Sequence, residues 1–85
     1  MNKIYILTFV DLVNVGTNVK DVWVFPNREA AIQEMEKQFR KMCEKYGITD
    51  LKESGLYREC VIDTSYAYFS NEYYWDIFEK EIGIL

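Results

Sequence analysis

No histidine occurs in this chain, which removes the side chain most often used as a general base, the hydroxyl-activating triad and the usual zinc and copper ligand sets. The groups left to do chemistry are carboxylates, thiols, lysines and aromatic rings. Carboxylates pair at Glu34/Glu36, Glu59/Asp63 and Glu79/Glu81, and two carboxyl groups in unlike surroundings can divide acid and base work. That division needs a deep, poorly solvated cleft, for which 85 residues leave little room. The pairs are therefore read as solvated surface. Cys43 and Cys60 come with no Cys-x-x-Cys or cysteine–histidine spacing, so they are read as two small apolar side chains. The four glycines, Gly16, Gly47, Gly55 and Gly83, are isolated and build no phosphate loop. Lys37, Lys41 and Lys45 line up at four-residue spacing with Arg40 nearby, but Glu34, Glu36 and Glu44 lie among them. With Glu36 and Arg40 at i, i+4, this is a mixed, solvated helix face rather than a phosphate-binding ridge. The chain is expected not to be an enzyme and to need no cofactor or metal.

What remains is aromatic. The stretch from Ser65 to Ile82 carries seven of the chain's fourteen aromatic residues around the polar pair Asn71-Glu72. Part of that set must fill cross-strand and core positions, and the rest must be exposed. Tyrosine and tryptophan edged by acids make a typical interaction surface, with large rigid apolar area, a polar tip and little side-chain entropy to lose. The expected partner-binding residues are Tyr66, Tyr68, Glu72, Tyr73, Tyr74, Trp75, Asp76 and Glu79. Nucleobases also stack on such rings, although the acidic edge opposes a polyanion.

The elements that must position these groups are one helix and several strands. Over residues 28–46, apolar side chains fall at Ala31/Ile32, Met35, Phe39, Met42/Cys43 and Tyr46, one stripe of a 3.6-residue period. Asn27 can cap its start and Gly47 its end. Residues 3–15 and 19–25 alternate as strands about a turn at Gly16-Thr17-Asn18, forming an antiparallel hairpin. Residues 48–55 suggest at most a short helical turn, and 56–63 read as a strand, with helix as the alternative. Residues 65–70 and 73–82 form a second hairpin. The expected fold is α+β, strand, strand, helix, then three strands, with an antiparallel sheet of four or five strands and the helix across one face.

Both faces of the first hairpin are apolar: Ile4, Ile6 and Val10 on one side, Tyr5, Leu7 and Phe9 on the other. One helix covers one side, so a second cover is expected. A homodimer packing these faces about a two-fold axis is favoured over coverage by residues 48–55 or by the chain end. Net charge is −4, with residues 1–42 contributing +1 and residues 43–85 contributing −5, which speaks against direct nucleic-acid binding. The apolar run from Ile4 to Val10 is too short to cross a membrane and lacks a signal-peptide cleavage pattern. A single-domain, soluble, cytoplasmic protein is expected.

Lys3-Ile-Tyr-Ile-Leu7, Val24-Phe-Pro-Asn-Arg-Glu-Ala-Ala31 and Tyr74-Trp-Asp-Ile-Phe-Glu-Lys-Glu-Ile82 resemble a pattern found in small uncharacterised proteins of bacterial phages and mobile elements. Many small acidic proteins of that origin are similar to anti-CRISPR and other anti-defence inhibitors, which bind a host enzyme, mimic DNA or sequester a nucleotide signal. The resemblance implies a non-enzymatic inhibitor that occludes a host defence protein, with sequestration of a small molecule or nucleotide as the alternative. It assigns no catalytic residue.

Overall fold

Among the described residues, alternating β-branched and aromatic residues build five strands, and a periodic stretch between the second and third builds a helix. The computed structural model describes residues 2–12, 19–47, 60–70 and 72–83. The order is β1 (Lys3–Asp11), β2 (Val19–Phe25), α1 (Arg28–Lys45), β3 (Cys60–Ile62), β4 (Tyr66–Phe69) and β5 (Tyr73–Glu81). The strands form one antiparallel sheet in the order β2-β1-β5-β4-β3, and α1 packs across β1, β2, β4 and β5. The fold is therefore the expected α+β arrangement. The turn expected at 16–18, the helical turn at 48–55, the first part of the strand at 56–63 and the end of the chain beyond residue 83 lie outside the described residues.

The helix begins where expected because Asn27 is extended and its Oδ1 accepts the Ala30 N–H at 2.8 Å, satisfying one donor that has no partner within the helix. It ends at Lys45. Gly47, with φ of +73°, donates its N–H to the Glu44 carbonyl at 3.1 Å, a closure that glycine reaches without a Cβ penalty. The buried line is Ala31, Met35, Phe39 and Cys43, an i, i+4 ridge of the kind that packs into the furrows of a neighbouring layer. Tyr46, expected in the stripe, is instead 45% exposed. As the cap residue it has turned off the helix axis, and its ring lies 5.2 Å from that of Phe69.

The core is centred on Trp75, which is 1% exposed and packs with Phe9 at 5.1 Å and Phe39 at 5.9 Å between ring centroids. Leu7, Met35 and Phe39 join it as the other largest fully buried side chains. Among the described residues no buried side-chain nitrogen or oxygen lacks a hydrogen-bond partner, so hydrogen bonding offsets the cost of burying those atoms. Cys43 and Cys60 are both buried in this core. Burial, and then the neighbouring Cys60, push the Cys43 thiol up from its ordinary 9.0, the direction of an unreactive thiol. Among the described residues no helix is long and apolar enough to cross a membrane, and no group of three or more potential ligands could hold a metal ion.

Candidate functional site

Strand alternation divides the expected partner-binding residues between the two faces of the sheet. On β5, Tyr73 and Trp75 point under the helix and are 7% and 1% exposed, so they are core residues and not part of a free surface. The reason is the period of two: with Phe39 and Met35 above the sheet, the odd-numbered side chains of β5 fill the core. Glu79, on the same side at the sheet's margin, is exposed and receives Lys3 at 3.4 Å and Arg28 at 3.5 Å. Lys3 first of all holds its carboxyl below the usual carboxylate range. Arg28 also lies 5.3 Å from the Tyr5 ring centroid, so Glu79 is occupied by a local cluster. Glu72 is exposed in the β4–β5 connection, where its carbonyl accepts the Leu12 N–H at 2.8 Å.

The other four, Tyr66, Tyr68, Tyr74 and Asp76, share the face away from the helix. Tyr66 and Tyr68 are stacked, with centroids 6.3 Å apart and planes at 7°, and Tyr68 meets Tyr74 across the strands at 6.1 Å. This is a ladder of three rings. Asp76 sits beside it, opposite Tyr66 on β4 and Thr8 on β1. Burial raises its carboxyl from the usual 3.8.

The ladder continues into apolar surface across the rest of the sheet. The pairing aligns Val24, Ile6 and Phe78 as one row, and Val10, Tyr74, Tyr68 and Val61 as another. Val22, Val24 and Phe78 are 57%, 58% and 50% exposed, unusual values for large apolar side chains with β-branched or aromatic neighbours on the same face. Phe78 and Lys80 stand on this face beyond the expected partner-binding residues, placed there by the same alternation that puts Tyr74 and Asp76 together.

On the helix side an open depression of about 220 Å³ is lined by Phe9, Gln38, Lys41, Met42, Lys45 and Trp75. Phe9 and Trp75 are its aromatic lining, Lys41 and Lys45 are its charged lining residues, and Gln38 accepts the Trp75 indole N–H at 2.9 Å and donates to Glu34 at 2.8 Å. Comparison with family models, curated proteins and solved structures finds no match. The functional reading therefore rests on the geometry of the chain's own residues.

Proposed function

We propose that this chain is a non-enzymatic binding protein whose tyrosine ladder docks a partner protein and covers part of that partner's surface. The observation that carries the reading is the contact of Tyr66, Tyr68 and Tyr74 on the face not covered by the helix. Such rings supply large contact area with few rotatable bonds to freeze, and their hydroxyls suit a boundary that is apolar on one side and wet on the other. Asp76 beside the ladder and Glu72 at the adjoining turn add negative charge, which favours a basic protein patch and disfavours a phosphate backbone. The resemblance to small mobile-element proteins makes a bacterial defence protein the first partner class to test, with inhibition by occlusion as the mode.

Affinity capture from lysates of bacteria carrying defence systems tests this, with Tyr68→Ala as the matched control. The expected result is a protein retained by wild type, lost at least tenfold on the variant as for a buried interface aromatic, and inhibited when the two purified proteins are mixed. Recovery of the same proteins on both baits, or inhibition unchanged by Tyr68→Ala, would remove the ladder as the docking surface.

The depression at Phe9 and Trp75 supports a second reading, in which a nucleobase stacks on the aromatic lining and Lys41 and Lys45 reach its phosphates. Its volume of about 220 Å³ falls below the roughly 300–1,000 Å³ of typical ligand pockets, which ranks it second. Thermal shifts against nucleotides and cyclic nucleotides decide it, since a ligand that binds only the folded state raises the melting temperature.

A further inference from the structure

The residues of β5 on the open face, with Ile82 continuing their alternation, are Tyr74, Asp76, Phe78, Lys80 and Ile82. Read outward from Phe78, an acid stands two positions before it and a base two positions after, and beyond each lies a large apolar side chain. The sequence is symmetric in polarity and antisymmetric in charge about Phe78. Across the sheet, Phe78 lies in the row Val24, Ile6, Phe78, which is apolar on all three strands.

We infer that a second copy of this chain covers the open face, packed sheet to sheet about a two-fold axis that runs along the Val24–Ile6–Phe78 row. This goes beyond the docking of a partner on the tyrosine ladder and does not depend on it. A two-fold in that position lays β5 antiparallel over its copy and sets residue 78+k against residue 78−k. Phe78 then meets Phe78 of the copy, Asp76 meets Lys80, and Tyr74 meets Ile82, which is 47% exposed in the protomer. Val24 and Ile6 meet themselves. No like charges are opposed, and Asp76 gains a cation in place of the water it has partly lost. Aligned sheets cross at about 30°, which offsets positions two residues from the axis by about 3–4 Å, within the reach of a lysine side chain. Moving the axis to Asp76 or Lys80 would instead oppose two like charges on an apolar face, which is costly.

The axis takes Tyr74 into the contact but leaves the other two rings of the ladder uncovered. β4 lies to one side of β5 and only opposite its first half, Tyr66 facing Asp76 in the ladder and Phe69 facing Tyr73. Tyr66 and Tyr68 therefore overhang the copy, and a dimer presents this pair at two places. Strand spacing and rise give the β1–β5 overlap a flat footprint of about 10 by 30 Å, to which β2 adds little because it ends at Phe25, one residue past the axis row. That is under half of the roughly 800 Å² per partner of a standard interface before side-chain relief is counted, so association no tighter than micromolar is expected.

Sedimentation equilibrium of the full chain from about 1 to 500 µM brackets that range. The mass should climb from 10.2 kDa toward twice that value. Asp76→Lys and Lys80→Asp should each weaken self-association tenfold or more, because each homodimer then opposes like charges twice. An equimolar mixture of the two variants should recover the dimer, since every pair in the mixed dimer is again opposite in sign, and the double variant should recover it alone. Circular dichroism matching wild type establishes that both single variants are folded. A mass of 10.2 kDa at every concentration overturns the inference. So does a dimer indifferent to the single swaps, or one that neither the mixture nor the double variant restores. Capture of a partner lost on Tyr68→Ala reports separately on the ladder, so either result can fail while the other stands.

Discussion

The indole N–H of Trp75 donates to Gln38 Oε1 at 2.9 Å, joining the centre of the sheet to the helix by a polar contact at the edge of an aromatic core. Gln38 is held for this purpose, because its amide nitrogen donates to Glu34 Oε2 one turn earlier. Replacing Gln38 with leucine keeps the bulk and the helix propensity but leaves the indole N–H without its acceptor. Chemical denaturation should show a loss of about 1–2 kcal/mol, the cost of an unsatisfied, partly buried donor. An unchanged midpoint would show that water replaces the amide freely.

Phe39 tests the packing side of the same junction. It is 2% exposed, with its ring 5.9 Å from Trp75 and 6.4 Å from Phe69. Phe39→Ala should cost about 3–5 kcal/mol, a large part of the stability of a domain this small. A loss below about 1 kcal/mol, read from the denaturation midpoint, would mean that the helix does not rely on this face.

The helix, its caps and four of the strands were legible because each is encoded locally, whereas β3 lies in a stretch whose pattern also admits a helix. A 3.6-residue stripe from Ala31 to Cys43, a capping Asn27, a closing Gly47 and runs of alternating β-branched and aromatic residues need no knowledge of the rest of the chain. The pairing of β1 with β5, which makes β5 central, joins residues as distant as Lys3 and Glu81 and leaves no local mark. The candidate site was half legible for a related reason. Composition identifies the aromatic hairpin as a whole, whereas the side of each ring depends on which face of the sheet the helix takes. Tyr73 and Trp75 go to the core and Tyr74 and Asp76 to the open face through the alternation of one strand. Glu79 lies on the helix side for the same reason, where Lys3 and Arg28 reach it.

A hydroxyl contact joins the end of the helix to the sheet. Tyr46 and Tyr73 approach to 3.2 Å between their oxygens. That hydrogen bond, then desolvation, then charge at Tyr46, Asp11 and Glu72 push the Tyr73 phenol up from 10.0 to about 12. The folded chain therefore holds this proton more tightly than the unfolded one. The resulting stability is complete below pH 10.0 and is lost as pH rises toward about 12. Absorbance titration of the tyrosinates should show one group ionising late, and Tyr46→Phe should move it back toward the ordinary value. A late-ionising group that stays unmoved in Tyr46→Phe would contradict the contact.

Gly47 gives a cleaner test of backbone conformation than of packing. Its φ is +73°, and a Cβ built there meets nothing within 4 Å. Gly47→Ala should thus cost about 1 kcal/mol, all of it from holding a side chain in the left-handed region. Gly47→Asn should cost less, because asparagine visits that region more readily. Equal losses for the two variants in thermal denaturation would show that the closure is not held in this conformation.

Asp76 would link the pH dependence of the protomer to that of the proposed dimer. On its face β1 and β4 contribute Thr8, Tyr66 and Tyr68 but no charge, and along β5 the nearest charged residue on that face is Lys80. Burial raises its carboxyl above 3.8, so the isolated protomer binds this proton more tightly than the unfolded chain does. Stability relative to Asp76→Asn should then fall as pH rises from 3.8, because the unfolded chain releases its proton first. The side chain is largely solvated, so the change should stay below about 1 kcal/mol. In the proposed dimer, pairing with Lys80 of the copy favours the ionised form instead, so association strengthens over the same rise in pH. Denaturation of wild type and Asp76→Asn should therefore give a difference curve that falls above pH 3.8 at dilute protein and flattens at concentrated protein. An equal fall at both concentrations would contradict the pairing across the two-fold, and no slope at the dilute end would contradict the burial of the carboxyl.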